Sequence, residues 1–114
     1  MESRKFSDLP PFRFCAIIGP TLDEEFFDAF AAHFRQEIEW KISPRTSNGV
    51  MIFKDGRKVK GFSSYETVRG YRPDLILIDQ YADPDIVFHV LHSAVSAFCS
   101  PDHIFYFQGD ELYQ

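Results

Sequence analysis

Asp79 ends the apolar run Leu75-Ile-Leu-Ile78, and two further carboxylates, Asp83 and Asp85, follow closely. A carboxylate at the C-terminal end of a buried strand stands where open α/β sheets take their ligands, so Asp79 with Asp83 or Asp85 is a candidate metal site. The plainer role for Asp79 is a loop carboxylate that closes a turn; Asp74 reads as a local turn residue. His89 and His92 are three residues apart on an expected helix and share a face, with Asp85 one turn before them. No HExxH accompanies them, so margin histidines are the simpler account. His33 and His103 have nothing in the sequence to orient them. Cys15 and Cys99 lie in apolar segments, where a thiol is inert unless a base and positive charge activate it. Ser63 and Ser64 lack the GxSxG elbow of a serine nucleophile. No catalytic residue is therefore assigned, and no cofactor is expected.

The basic residues form the other chemically distinct set. Residues 50–72 hold Lys54, Arg57, Lys58, Lys60, Arg69 and Arg72 against only Asp55 and Glu66, whereas residues 73–114 hold no Lys or Arg. Phe62, Tyr65 and Tyr71 are interleaved with these cations. Such a mixture suits phosphate contacts with base stacking, or a protein interface with Arg and Tyr anchors; a solvated hairpin is the plainer account. Arg57, Lys58, Lys60, Arg69, Tyr71 and Arg72 are the expected partner-binding residues. The whole chain carries a formal net charge of -5, which excludes a general polyanion binder but not a local basic patch.

The elements that must position these residues follow from pattern. Residues 1–11 read as a polar N-terminal arm ending in Pro10-Pro11. Phe12 to Gly19 is a short buried strand stopped by Gly19-Pro20. Thr21 caps a helix with Glu24 closing the capping box, and Leu22, Phe26, Phe27, Phe30, Phe34 and Ile38 carry its apolar face to about Glu39. Residues 43–49 form a loop. Val50–Phe53 and Lys58–Phe62, joined through Asp55-Gly56, form a β-hairpin with a two-residue turn signal. Residues 63–73 are a second loop. Leu75–Ile78 and Ile104–Phe107 are buried strands of the kind covered on both faces. Between them, Asp83-Pro84 opens a helix that Ser100-Pro101-Asp102 breaks. Residues 110–114 are an acidic C-terminal tail, frayed or docked by Leu112 and Tyr113.

The order β-α-(β-β)-β-α-β predicts a single α/β domain over residues 12–109. Its expected form is a small, mostly parallel sheet with an inserted β-hairpin and two packing helices. The chain is 45% hydrophobic with 13 Phe, enough for a dense core. No apolar run reaches the length of a membrane helix, and the first residues lack a secretory h-region, so no membrane partner and a cytoplasmic location are expected. Two thiols in apolar segments fit reduced cysteines better than a disulfide.

The stretch from Val50 through Arg69-Gly70-Tyr-Arg72-Pro-Asp74-Leu-Ile-Leu-Ile-Asp79 resembles the run into the Walker B strand of phage terminase large-subunit ATPases. The segments FCAIIGPT and HIFYFQG are similar to two further core strands of that P-loop family. The resemblance covers residues 12–109 and implies that Asp79 matches the magnesium-binding carboxylate. The departures are equally specific. No GxxxxGK[ST] exists in the chain, Gln80 stands where the family has its water-activating glutamate, and Gln108-Gly109 replaces the coupling Ser/Thr. The resemblance thus implies a degenerate, non-catalytic fragment of such a core: a phage-type binding or regulatory protein acting through protein–protein contact. Two alternatives stay open. One is a subunit of a composite ATPase whose P-loop lies on another chain; the other is a nucleic-acid-binding accessory factor using the basic hairpin.

Overall fold

The computed structural model describes residues 3–19, 24–42, 49–62, 68, 70–85, 87–89, 92 and 99–114. The cap at Thr21, Ser63, Ser64, Tyr65 and Arg69 lie outside the described residues.

Among the described residues eight strands form one sheet: β1 (Ser3–Arg4), β2 (Phe14–Ile18), β3 (Ile38–Ile42), β4 (Val50–Phe53), β5 (Lys58–Phe62), β6 (Leu75–Asp79), β7 (Ile104–Gln108) and β8 (Glu111–Tyr113). Their order is β1-β8-β7-β6-β2-β5-β4-β3. The α/β class holds, but the expectation of a mostly parallel sheet does not. Among the described residues three pairings are parallel (β2 with β5, β2 with β6, β6 with β7) and four are antiparallel. The parallel strands are the middle of the sheet. The antiparallel ones flank it: β3, β4, β5 and β7, β8 are joined by short connections that return a strand alongside its predecessor, and β1 adds to β8 from the other end of the chain.

The middle strands follow from their apolar runs. Cys15 to Ile18 and Leu75 to Ile78 are buried, as strands covered on both faces must be. Alternate residues serve two separate cores. Cys15, Ile17, Leu75, Leu77, Phe105 and Phe107 meet α1 (Glu24–His33) on one face. Ala16, Ile18, Ile76, Ile78 and Ile104 form the second core with Phe62, Val68 and Cys99. Residues 84, 85, 87–89 and 92 are helical, and Val87 packs against that second core.

The first core is largely aromatic. Phe26 of α1 stacks on Phe107 of β7 with centroids 4.0 Å apart, and Phe6, from the segment read as an arm, rests on Phe26 and Phe30. The tail segment is a strand as well: β8 pairs with both β7 and β1, and Leu112 is buried.

Helix α1 ends at His33, six residues before the predicted end near Glu39. Residues 34–37 turn tightly, the Glu37 N–H donating to the Phe34 carbonyl at 2.8 Å. The chain then runs back as β3, a strand that the i, i+4 spacing of Phe34 and Ile38 concealed. The hairpin is present, but its loop is longer than the two-residue signal. Gly56 is left-handed at φ 95 and donates to the Phe53 carbonyl, and the Phe53 N–H donates to the Arg57 carbonyl. That is a type I turn closed by a left-handed glycine.

Candidate functional site

Two places in this fold could carry function. The first is the point where the strand order reverses. β2 leads through α1 toward β5, and β6 leads through the second helical segment toward β7, so the crossovers part between β2 and β6. Gly19 and Asp79 meet there. A Cβ on Gly19 would lie 3.0 Å from the Asp79 Cβ, a tight contact that glycine relieves. The Asp79 Oδ1 accepts the Tyr81 N–H at 2.8 Å, and the Asp83 Oδ1 accepts the Asp85 N–H at 2.8 Å. Each thus serves a local turn. Among the described residues no three His, Cys, Asp or Glu side chains converge as a metal site requires.

The second place is the half of the sheet that the second core, among the described residues, does not reach. The register aligns rows across four strands. Trp40 of β3 faces Ile52 of β4, Ile52 faces Lys58 of β5, and Lys58 faces Phe14 of β2. One row further, Val50 faces Lys60, which faces Ala16. Residues facing each other across a ladder share a face. Phe14, Val50, Ile52, Lys58, Lys60 and Tyr71 line a shallow groove of about 470 Å³ there.

Tyr71 is 46% exposed yet held in place. Its ring stacks on Phe14 at 5.2 Å and meets Phe62 edge-on at 5.2 Å. The Lys60 ammonium lies 5.4 Å from the Phe62 ring centre. Among the described residues no carboxylate lines the groove, and no ion pair engages Lys58 or Lys60.

Trp40 reaches this face through an irregularity. The β3–β4 register shifts between Ile38 and Trp40, so Ile38 faces Phe53 in the aromatic core while Trp40, 47% exposed, faces Ile52 at the edge of the sheet, where it also borders a cavity with Ala31, Ala32 and Arg35. A single extra residue inverts the alternation of a strand, and Glu39 is that residue.

The expected partner-binding set is divided by the fold. Lys58, Lys60 and Tyr71 come together on the open face. Arg72 is exposed nearby in sequence, with a left-handed backbone at φ 50. Arg57 belongs to the opposite face. Its guanidinium lies 4.6 Å from the Phe53 ring centre and 5.2 Å from that of Phe12, and it pairs with Glu37 at 2.7 Å and Asp55 at 2.8 Å. It closes the end of the aromatic core. The Arg57 N–H, first among several contacts with that residue, holds the Asp55 carboxyl below the usual carboxylate range.

Trp40, Val50, Ile52 and Phe14 were not anticipated as surface residues. The alternation Ile38-Trp40-Ile42 was the available signal for β3, and the adjoining helical spacing obscured it.

The cysteines are unpaired and buried on different faces, Cys15 in the aromatic core and Cys99 in the second. Burial, then the Asp74 charge, raises both thiols above their ordinary value, Cys99 to about 11. No helix among the described residues is long and apolar enough to cross a membrane. Comparison with family models, with curated proteins and with solved structures returns no match.

Proposed function

We propose that the protein is a non-catalytic binding protein that works by contact, with the open face of β3, β4 and β5 as its contact surface. One observation carries this reading: Phe14, Val50, Ile52 and Tyr71 line one groove with Lys58 and Lys60 on the face opposite the aromatic core, and Trp40 continues their row. Half-buried apolar residues grouped round an exposed aromatic ring, beside cations that pair with no carboxylate among the described residues, mark interaction surfaces more often than solvated ones. A sheet is a rigid base for such a surface, so little order need be created on binding. The non-catalytic half of the reading rests on sequence: no phosphate-cradling GxxxxGK[ST] exists, and Gln80 follows Asp79.

Amide chemical-shift mapping with two polyanionic probes, poly-glutamate and a single-stranded oligonucleotide, tests the surface. Shifts concentrated at residues 14, 40, 50–52, 58–60 and 71 support it. Shifts confined to α1 and β7, or none with either probe, overturn it. With magnesium and ATP the isolated chain should release no phosphate; turnover abolished by Asp79→Ala would refute the non-catalytic reading.

A second reading has its own observation, the position of Asp79 where the strand order reverses. There the chain would lend Asp79 to a composite ATPase whose phosphate loop lies on another chain. Phosphate release that requires a second, P-loop-bearing chain and vanishes in Asp79→Ala would establish it in place of the first.

A further inference from the structure

We propose that the open face binds single-stranded nucleic acid, with the Tyr71–Phe14 stack and Trp40 as base platforms and Lys58 and Lys60 as phosphate contacts. The inference rests on the contact-surface reading above and names its ligand class.

A protein interface uses tyrosine as a knob that enters a pocket on the partner. Tyr71 is instead laid against Phe14 at an interplanar angle of 29° and braced edge-on by Phe62. An exposed ring pinned flat on a second ring offers a π-face, and every base has a π-face to match.

The second platform stands at a useful distance. Trp40 and Phe14 occupy the same row, separated by Ile52 and Lys58. Three inter-strand spacings make that about 14 Å. A strand of a few nucleotides can cross that gap, its sugars over Ile52 and Val50.

The charges agree. Lys58 and Lys60 are two positions apart on β5, point to this face and pair with no carboxylate among the described residues. Arg57 and Lys41, on the α1 side, do have acidic partners. Cations without a carboxylate partner among the described residues, beside an exposed ring, fit a polyanion that also carries flat apolar groups. The whole chain's net charge of -5 repels a duplex laid broadly over the molecule and confines binding to this strip.

Trp40 is the only tryptophan, so its fluorescence reports directly on this face. The full chain is titrated with oligothymidylate and with oligouridylate of about 12 nucleotides, a length one such surface can accommodate. Saturable quenching is expected with one or both, and the two arms distinguish DNA from RNA. Affinity should fall roughly tenfold between about 50 and 200 mM salt, as two or three phosphate contacts require. Lys58→Glu with Lys60→Glu should abolish saturation, and Tyr71→Ala should weaken binding roughly tenfold. Tyr71→Phe should retain it. Arg4→Glu, an equal charge change per site on β1 at the far edge of the sheet, should leave it unchanged. Thermal unfolding followed by circular dichroism confirms that each variant is folded.

Four outcomes overturn the proposal: no quenching by either oligonucleotide, binding that survives the double reversal in a folded protein, a duplex bound as tightly as the single strand, or displacement of the oligonucleotides by inorganic polyphosphate at equal phosphate concentration. If poly-glutamate binds, is lost in the double reversal, and the oligonucleotides do not bind, the nucleic-acid assignment fails while the contact surface stands. If neither probe binds, both fail.

Discussion

Asp74 does more than its place in a loop suggested. Its carboxylate accepts the Arg13 N–H at 2.9 Å and the Phe14 N–H at 3.0 Å, while its own N–H donates to the Phe14 carbonyl at 3.1 Å. Its carbonyl is 3.1 Å from the His103 Nδ1. One side chain thus fastens the starts of β2 and β6, a tie that local sequence cannot reveal because its two ends are sixty residues apart. Asp74→Ala should cost roughly 2–4 kcal/mol, since several charge-assisted bonds go and the amides left behind are partly dry. Chemical denaturation measures it, and a loss below about 0.5 kcal/mol would mean the tie is idle. Gly49 makes a steric demand. It is left-handed at φ 86, and a Cβ there would lie 2.7 Å from the Phe27 ring. Gly49→Ala combines backbone strain with overpacking and should destabilise by about 2–4 kcal/mol, read as a lowered thermal midpoint.

At the scale of elements, legibility followed burial and length. β2, β6 and β7 were readable because strands covered on both faces are continuous apolar runs, and Asp55-Gly56 announced the hairpin. β3 was not, because Phe34 and Ile38 continue the spacing of α1 while the chain has already turned. β1 and β8 have two and three residues, too few for any period to register. The sheet was therefore expected to be mostly parallel: the strands that escaped notice are all antiparallel. The candidate surface suffered the same way. Its cations were visible in the composition, but the division of Arg57 from Lys58 and Lys60 depends on which face each occupies. Leu112 shows what a three-residue strand can contribute. It is 1% exposed and joins the aromatic core. Leu112→Ala should cost about 2–4 kcal/mol and speed amide exchange in β1 as well as β8. Unchanged protection in β1 would separate the two strands energetically.

For the whole molecule, the two thiols set an alkaline limit. Each is held protonated by burial at a pH where the unfolded chain ionises it. Their contribution to stability is whole below pH 9; the Cys99 part is lost as pH rises through about 11, and the Cys15 thiol is raised as well. Unfolding free energy should fall over that interval, and less steeply in Cys99→Ala; an identical slope in the variant would remove the thiol from the account. The irregular β3 has a consequence of another kind. It is the last strand on its side of the sheet, and an open edge is a template on which further chains can add. The extra residue at Glu39 breaks the straight run of free amides, and Lys41, 4.0 Å from Asp28, places a charge on what remains. Such features keep edges from propagating. Deleting Glu39 and replacing Lys41 with Val would straighten and neutralise the edge together. Light scattering of concentrated protein should then show growth into fibrils, where the parent chain stays a small particle.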